Sequence, residues 1–406
     1  MDPIRNPYAP GAGQRPPELA GRDRELDQFE VTLERVAANR PERSMVLSGL
    51  RGVGKTVLLN ALRGQAVRRA WGTGKIEARP DQGVRLPVAQ AVHAAVREVA
   101  HRHRDPDRVD EVAGVVKSFA LRTDVEERRT ASRGSRGVRW TPPVEVPATT
   151  GRADSGDLEL DLVELFTDVG ALAGDLGVGV ALFIDEMQDI ALPELAALCG
   201  ACHEISQQGA PLIVVGAGLP HLPVALAASK SYAERLFRYV SVDRLPRGMA
   251  DRAWRVPAGS EGVDFEPEAL DELYRLTDGY PYFVQAYGKV TWDAAVGSPI
   301  RAADVLEAAP VAEAELALGF FGARYDRATP AERDYMTAMA DLGADRGDGA
   351  VDGAIPTAEV ARHLARKPQS LSPARDGLIK KGLVYSAERG SVAFTVPHFG
   401  RFLRSR

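Results

Sequence analysis

The stretch Gly49-Leu50-Arg51-Gly52-Val53-Gly54-Lys55-Thr56 constrains this 406-residue chain more than any other. It reads Gly-x-x-x-x-Gly-Lys-Thr, a phosphate loop, which belongs between a strand and a helix. Backbone N–H groups must point inward at phosphate oxygens, in conformations that a Cβ would obstruct; Gly49, Gly52 and Gly54 meet that need. Lys55 supplies a point charge for β- and γ-phosphates, and Thr56 a hydroxyl for Mg²⁺. Leu50, Arg51, Val53 and Val57 complete the cradle and the first turn behind it. Context agrees. The apolar run Ser44–Ser48 predicts a buried strand before the loop, and Lys55–Arg69 predicts a helix after it, its N-terminal dipole aimed at the anion. The ligands expected are ATP or ADP with Mg²⁺.

A second element belongs with the loop. Val180-Ala181-Leu182-Phe183-Ile184 is an apolar strand run ending in Asp185-Glu186. There Asp185 would hold Mg²⁺, directly or through water, and Glu186 would orient and deprotonate an attacking water. The plainer alternative is an acidic strand end that caps the next helix; the loop upstream favours the catalytic reading. Arg235 and Arg238 stand three apart in Tyr232–Tyr239 and would share a helix side. Either could act as an arginine finger, in cis or on a neighbouring subunit, or simply join a surface ion pair with Glu234.

Strands and helices alternate through the first half: a helix over Arg22–Ala38, a strand at Lys75–Ala78, a helix over Val84–Ala100, then strands at Val178–Ile184 and Leu212–Val215. That order predicts an α/β fold with a parallel sheet covered on both faces. Residues 1–20, rich in Pro and Gly, read as an extended arm. Residues 123–156 carry Arg128, Arg129, Arg133, Arg136 and Arg139 without an apolar period, which predicts a flexible insertion; a basic loop with Trp140 stacking on nucleic acid is the sharper alternative. After Arg244 the strand signals stop. The divisions expected are an arm at 1–20, an α/β domain at 21–246, an all-α lid at 247–327 and a winged helix at 328–406.

Charge and cysteine content close off other classes. A net charge of −5 excludes a uniformly basic nucleic-acid coat, and no apolar run suits a membrane span. With two cysteines and no apolar signal core at the N-terminus, the expected compartment is the cytoplasm. Cys199-Gly200-Ala201-Cys202-His203 matches a haem-attachment pattern, but Leu195, Leu198, Cys202 and Ile205 keep a helical period. Buried thiols on a core helix are the better reading.

Gly21-Arg22-Asp23-Arg24-Glu25-Leu26 resembles the leading box of AAA+-related ATPases of the origin-recognition and STAND groups. The phosphate loop, Asp185-Glu186, Gly216-Ala217-Gly218-Leu219-Pro220 and Asp278-Gly279-Tyr280-Pro281 follow in the order of those families. The resemblance implies that Leu19, Gly21 and Arg22 lie near the adenine. Pro281 would belong to a Gly-x-Pro lid signature, as in the archaeal-ATPase type of STAND relative. It also implies a polar side chain at the end of the strand before Gly216, where this chain has glycines, so slow hydrolysis is expected. Those glycines serve close packing or a moving switch. Large repeat domains of STAND switches are missing from the sequence, so an effector would be a separate chain or the winged helix itself; a homo-oligomer is the other assembly expected.

The C-terminal segment opens with a capping box, Thr329-Pro330-Ala331-Glu332. Helices near 330–341, 357–365 and 370–381, then strands at Leu383–Tyr385 and Val392–Val396, give the order of a winged helix. Residues 357–406 hold ten Lys or Arg against three acids. A partner of double-stranded DNA is expected, with Arg375, Lys380 and Lys381 on the recognition helix and Arg389 at the wing tip. The alternative is a wing that binds protein.

Overall fold

The computed structural model describes residues 1–80, 82–102, 106–122, 146–344 and 353–406. Most of the expected insertion, including its five arginines and Trp140, lies outside the described residues.

The central sheet has five strands: β1 (Ser44–Ser48), β2 (Gly72–Glu77), β3 (Val180–Asp185), β4 (Leu212–Gly218) and β5 (Phe237–Ser241), in the order β2-β3-β4-β1-β5. Every pairing is parallel. The intervening helices are α1 (Asp23–Ala37), α2 (Lys55–Arg68), α3 (Arg85–Arg102), α4 (Pro106–Leu121), α5 (Leu158–Asp175), α6 (Leu192–Gln208), α7 (Leu222–Ser229) and the short α8 (Ala233–Leu236). Alternation puts Met45 and Leu47 of β1 in one core and Val46 in the other, so the strand that carries the phosphate loop is covered on both faces. β2 is less apolar, and its glycines explain it. A Cβ at Gly72 would lie 2.6 Å from the Ala95 carbonyl oxygen, and one at Gly74 would run into that of Ala91, so α3 packs on bare backbone.

One expectation is corrected here. Arg235 and Arg238 do not share a helix side: Arg235 sits in α8, whereas Arg238 belongs to β5, paired with Met45. Phe237-Arg-Tyr-Val-Ser is rich in aromatic and β-branched residues, and a place beside β1 draws it into the sheet.

Beyond β5 the chain is helical through α9 (Arg247–Ser260), α10 (Pro267–Thr277), α11 (Pro281–Ala294) and α12 (Ala302–Glu315). A seven-residue π-helix, Leu316–Gly322, continues α12 and leads into α13 (Ala323–Tyr325). The C-terminal part contains α14 (Pro330–Ala344), β6 (Ile355–Pro356), α15 (Thr357–His363), α16 (Pro368–Lys380), β7 (Val384–Glu388), β8 (Ser391–Phe394) and α17 (Phe399–Arg404), with an antiparallel sheet in the order β6-β8-β7. The capping box forms: the Thr329 N–H donates to Glu332 Oε2 at 2.6 Å, and the Glu332 N–H to Thr329 Oγ1 at 3.4 Å. One apolar core runs from α1 and α2 through α9–α12 into α17. The N-terminal arm is anchored to the same body. Asn6 Nδ2 donates to the Lys289 carbonyl (2.9 Å) and to Asp293 (2.8 Å), and the Tyr8 hydroxyl to the Trp254 carbonyl (2.7 Å).

Candidate functional site

A cavity of about 390 Å³ lies over the loop between β1 and α2. Its floor is Arg51–Val57, and Glu186 stands at one side. The glycines do what the spacing requires. A Cβ at Gly49 would run into the Val242 carbonyl, while Gly52 and Gly54 sit at φ 84° and 91°, in the left-handed region. Lys55 begins α2 and is 8 % exposed. Its ammonium donates to the carbonyls of Gly49 and Leu50, each at 2.8 Å. Burial, with Arg51 adding like charge, pulls it from 10.5 to about 8 despite the nearby acids Glu186 and Asp185.

Glu186 is held in a strained conformation, φ 50°, just past β3. Both carboxylate oxygens are engaged: Arg51 Nη1 donates to one at 2.9 Å and Gln188 Nε2 to the other at 2.6 Å. Gln188 Oε1 in turn accepts the Leu219 N–H at 3.0 Å, so this side chain ties the end of β3 to the end of β4. The glycines of β4 make room for it: a Cβ at Gly218 would lie 2.7 Å from Gln188 Oε1, and one at Gly216 would lie 2.5 Å from Met187 Sδ. Close packing is therefore the reading that the geometry favours for Gly216 and Gly218.

Asp185 is 6 % exposed and accepts the Glu186 N–H at 3.0 Å. Among the described residues no three His, Cys, Asp or Glu side chains gather into a metal cage. Thr56 lines the cavity, whereas Asp185 ends β3 behind Glu186 and is not in the wall; a hydroxyl and a carboxylate are hard-oxygen donors of the kind Mg²⁺ takes, with waters and phosphate oxygens in its other positions.

Arg22 stitches the leading box to the loop: its Nη2 donates to the carbonyls of Val53 (3.3 Å) and Asp243 (2.5 Å). Leu19, Arg22, Val57 and Pro281 line the cavity. Gly21 serves instead as a contact, at φ 69° with its Cβ position 3.2 Å from Met249. Arg235 and Arg238 are not in the cavity wall, and Arg238 donates to Gln28. Cys199 and Cys202 are buried on α6, and burial pushes both thiols up.

Several wall residues had no sequence signal tying them to the loop. Ala9–Gln14 of the arm, Tyr282 and Gln285 of α11, Gly319 and Phe320 of the π-helix, and Arg324 close the cavity from parts of the chain far from residue 55. The β7–β8 hairpin also reaches the loop: the Arg51 N–H donates to the Thr395 carbonyl at 2.8 Å. Of the four cations expected on the C-terminal part, Lys380 and Arg389 are exposed, and Arg375 pairs with Asp376 at 2.9 Å. Lys381 binds the buried Glu332 at 2.6 Å, so its charge is committed within the fold.

Comparison with known proteins agrees with this geometry. Residues 18–215 match the AAA ATPase domain family, and residues 318–403 match a domain of unknown function. No curated protein matches the chain. The Walker-type ATPase PABY2304 of Pyrococcus abyssi superposes with a TM-score of 0.57 at 15 % identity, over 96 % of this chain and 97 % of that one. Looser likenesses are to the RuvB Holliday junction branch migration motor of Thermotoga maritima (TM-score 0.44, 15 % identity, 97 % and 99 % covered) and the Orc1 protein of Aeropyrum pernix in complex with DNA (0.42, 14 %, 96 % and 94 %). No helix among the described residues is long and apolar enough to cross a membrane. Residues 18–215 thus match the AAA ATPase domain family, and the parallel five-stranded sheet with the phosphate loop between β1 and α2 has the P-loop NTPase fold.

Proposed function

We propose that this chain binds ATP with Mg²⁺ over residues 49–57, hydrolyses it slowly, and uses the nucleotide as a switch for a DNA-binding C-terminal domain. The observation that carries the reading is the cavity itself, which is lined by Lys55, Thr56 and Glu186 and is sized for a small ligand. Residues 21–246 form the ATPase module, 247–327 the lid and 328–406 a winged helix, within the STAND-like branch of AAA+ proteins and in the cytoplasm.

Lys55 and the loop amides hold the β- and γ-phosphates, while Thr56 and Asp185 hold Mg²⁺. Bound there, Mg²⁺ would neutralise charge on the phosphates. Leu19 and Arg22 border the adenine end, and Pro281 closes the lid side. Glu186 is the base, but its carboxylate is tied by Arg51 and Gln188. Water activation requires those bonds to loosen, which is the physical reason for slow turnover. Arg235, exposed and outside the cavity wall, acts as a finger only in trans, within a homo-oligomer; Arg238 is the weaker candidate because Gln28 engages it. DNA would meet the exposed cations Arg362, Arg366, Lys367, Lys380 and Arg389 of the C-terminal part.

Titration with ATP and measurement of phosphate release test the site. Lys55→Ala is expected to abolish nucleotide binding. Glu186→Gln should keep binding and lower turnover by about 10²-fold or more. Unchanged turnover in the Glu186→Gln protein would remove Glu186 as the base.

A further inference from the structure

Arg324 lies in α13, directly after the π-helix, far outside the stretch that matches an ATPase family. It nevertheless lines the cavity over the phosphate loop. Its placement is specific. The Tyr282 ring and the Phe320 ring stack at 4.6 Å, and Tyr282 Cβ and the Phe320 ring tip lie 3.5 and 3.6 Å from the Cβ position of Gly52. The Arg324 guanidinium sits over the Phe320 ring, 4.4 Å from its centre, and donates to the Phe320 carbonyl. Phe320 lies inside the π-helix and Arg324 four residues on, so the two occupy one side of the chain. On the other side of the same helix Leu316, Ala317 and Phe321 face a separate apolar cavity next to α17.

The charge is unbalanced. Among the described residues no carboxylate stands within ion-pair distance of Arg324; the acid in reach of its field is Glu186, which Arg51 already pairs. Burial, together with Arg51 and Arg327, draws its pKa down from 12.5 to about 10. A half-buried cation facing Arg51 and Lys55 across a cavity is a cost to the fold until an anion enters. The charged groups that act on it are Arg51, Arg327 and Glu186, and Glu186, the candidate base, marks where hydrolysis would occur.

We infer that Arg324 is a phosphate-binding residue supplied in cis, contacting the terminal phosphate of a bound nucleoside triphosphate through the planar guanidinium fork. The inference rests on the nucleotide site proposed above and gives that site a sensor of the third phosphate, in the chain segment that joins the helices after β5 to the C-terminal part. A triphosphate then draws Arg324 toward the loop, and a diphosphate leaves it on Phe320.

The test is equilibrium binding of ATP and of ADP, each with Mg²⁺, to the full-length protein and to Arg324→Ala, Arg324→Lys and Lys55→Ala. Melting without nucleotide checks that each variant is folded. Arg324→Ala should weaken ATP by about 10- to 30-fold and ADP by less than about 3-fold, since a charge-assisted contact to one phosphate group is lost. Arg324→Lys, which keeps the charge and the fold but not the fork, should recover part of the ATP affinity. Equal losses for ATP and ADP, or no loss for ATP, overturn the assignment of Arg324 while leaving the site intact. A wild-type protein that binds neither nucleotide, or a Lys55→Ala protein that binds as well as wild type, overturns the site and Arg324's role with it.

Discussion

Lys55 joins burial to chemistry within one side chain. Its ammonium is enclosed and rests on two loop carbonyls, and its pKa of about 8 means that the free protein holds it only partly charged in mild alkali. Phosphate oxygens favour the charged form and raise that pKa, so binding must take up a proton wherever the free lysine has lost one. Calorimetry of ATP binding at about pH 8.5, in two buffers of different ionisation heat, should show uptake of more than about half a proton, and affinity should fall as the pH rises past 8. The stability effect has the opposite sign. Because the folded pKa lies below the ordinary 10.5, the charged lysine penalises the nucleotide-free fold fully below pH 8, and the penalty fades as the pH rises toward 10.5. Uptake of no proton at about pH 8.5 would show that the ammonium is not in contact with the phosphates.

At the level of elements, the layer on the β2–β3–β4 side is locked by a buried ion pair. Asp161, at the start of α5, is fully buried and accepts from Arg85 of α3 at 2.8 Å, from the Ser155 N–H and hydroxyl at 2.8 and 2.6 Å, and from the Gly156 N–H at 3.2 Å. Arg85 also lies 4.7 Å from the ring centre of Phe119 in α4. Burial pushes the Asp161 carboxyl up, but the bonds from Ser155 and Arg85 outweigh it and leave it below the usual range. Asp161→Ala strands a buried guanidinium and should cost about 3–5 kcal/mol in urea unfolding, with Asp161→Asn costing less. The wild-type contribution is present above the ordinary carboxylate pKa and is lost as the pH falls through the lower folded value. A loss under about 1 kcal/mol for Asp161→Ala would mean that water reaches the pair. This lock was not legible beforehand, because neither residue belongs to a motif and the pair spans 76 positions. β1, β3 and β4 were legible as short apolar runs bounded by turn residues, and the phosphate loop because its whole geometry is local. β5 was not, since its helix-like reading was overruled by the open edge of β1. The π-helix and the arm were invisible as cavity walls, because what folds over a pocket is decided by distant packing.

For the whole molecule, the arm, the π-helix and the β7–β8 hairpin all converge on the phosphate loop. The hairpin's hold is direct: Arg51 gives its N–H to Thr395, and a Cβ at Gly382, before β7, would lie 2.9 Å from Arg51 Nη2. Tyr385 of β7 stacks on His221 at 6.1 Å, ahead of α7. Arg51 also holds Glu186, so any nucleotide-driven movement of this arginine alters the candidate base and the seat of the hairpin together. The C-terminal residues 357–406 carry a net charge of +7, of which Lys381 pairs with Glu332 and Arg401 with Glu313, while Arg404 donates to the Ala340 carbonyl. Arg362, Arg366, Lys367, Lys380 and Arg389 are among the exposed cations. Full-length protein should therefore bind duplex DNA at low salt, with log affinity falling by about 3–5 per decade of salt if most of these five cations meet phosphates. Replacing Arg366 and Lys367 together by Glu should weaken binding to every sequence alike. ATP and ADP should give DNA affinities that differ by about 5-fold or more, and Lys55→Ala should bind DNA but lose that difference. DNA binding that ignores the nucleotide would sink the switch and leave a constitutive binder. An absence of binding even at low salt would turn the exposed cations toward an acidic protein surface, with the hairpin still seated on Arg51 as the element that such a partner would feel.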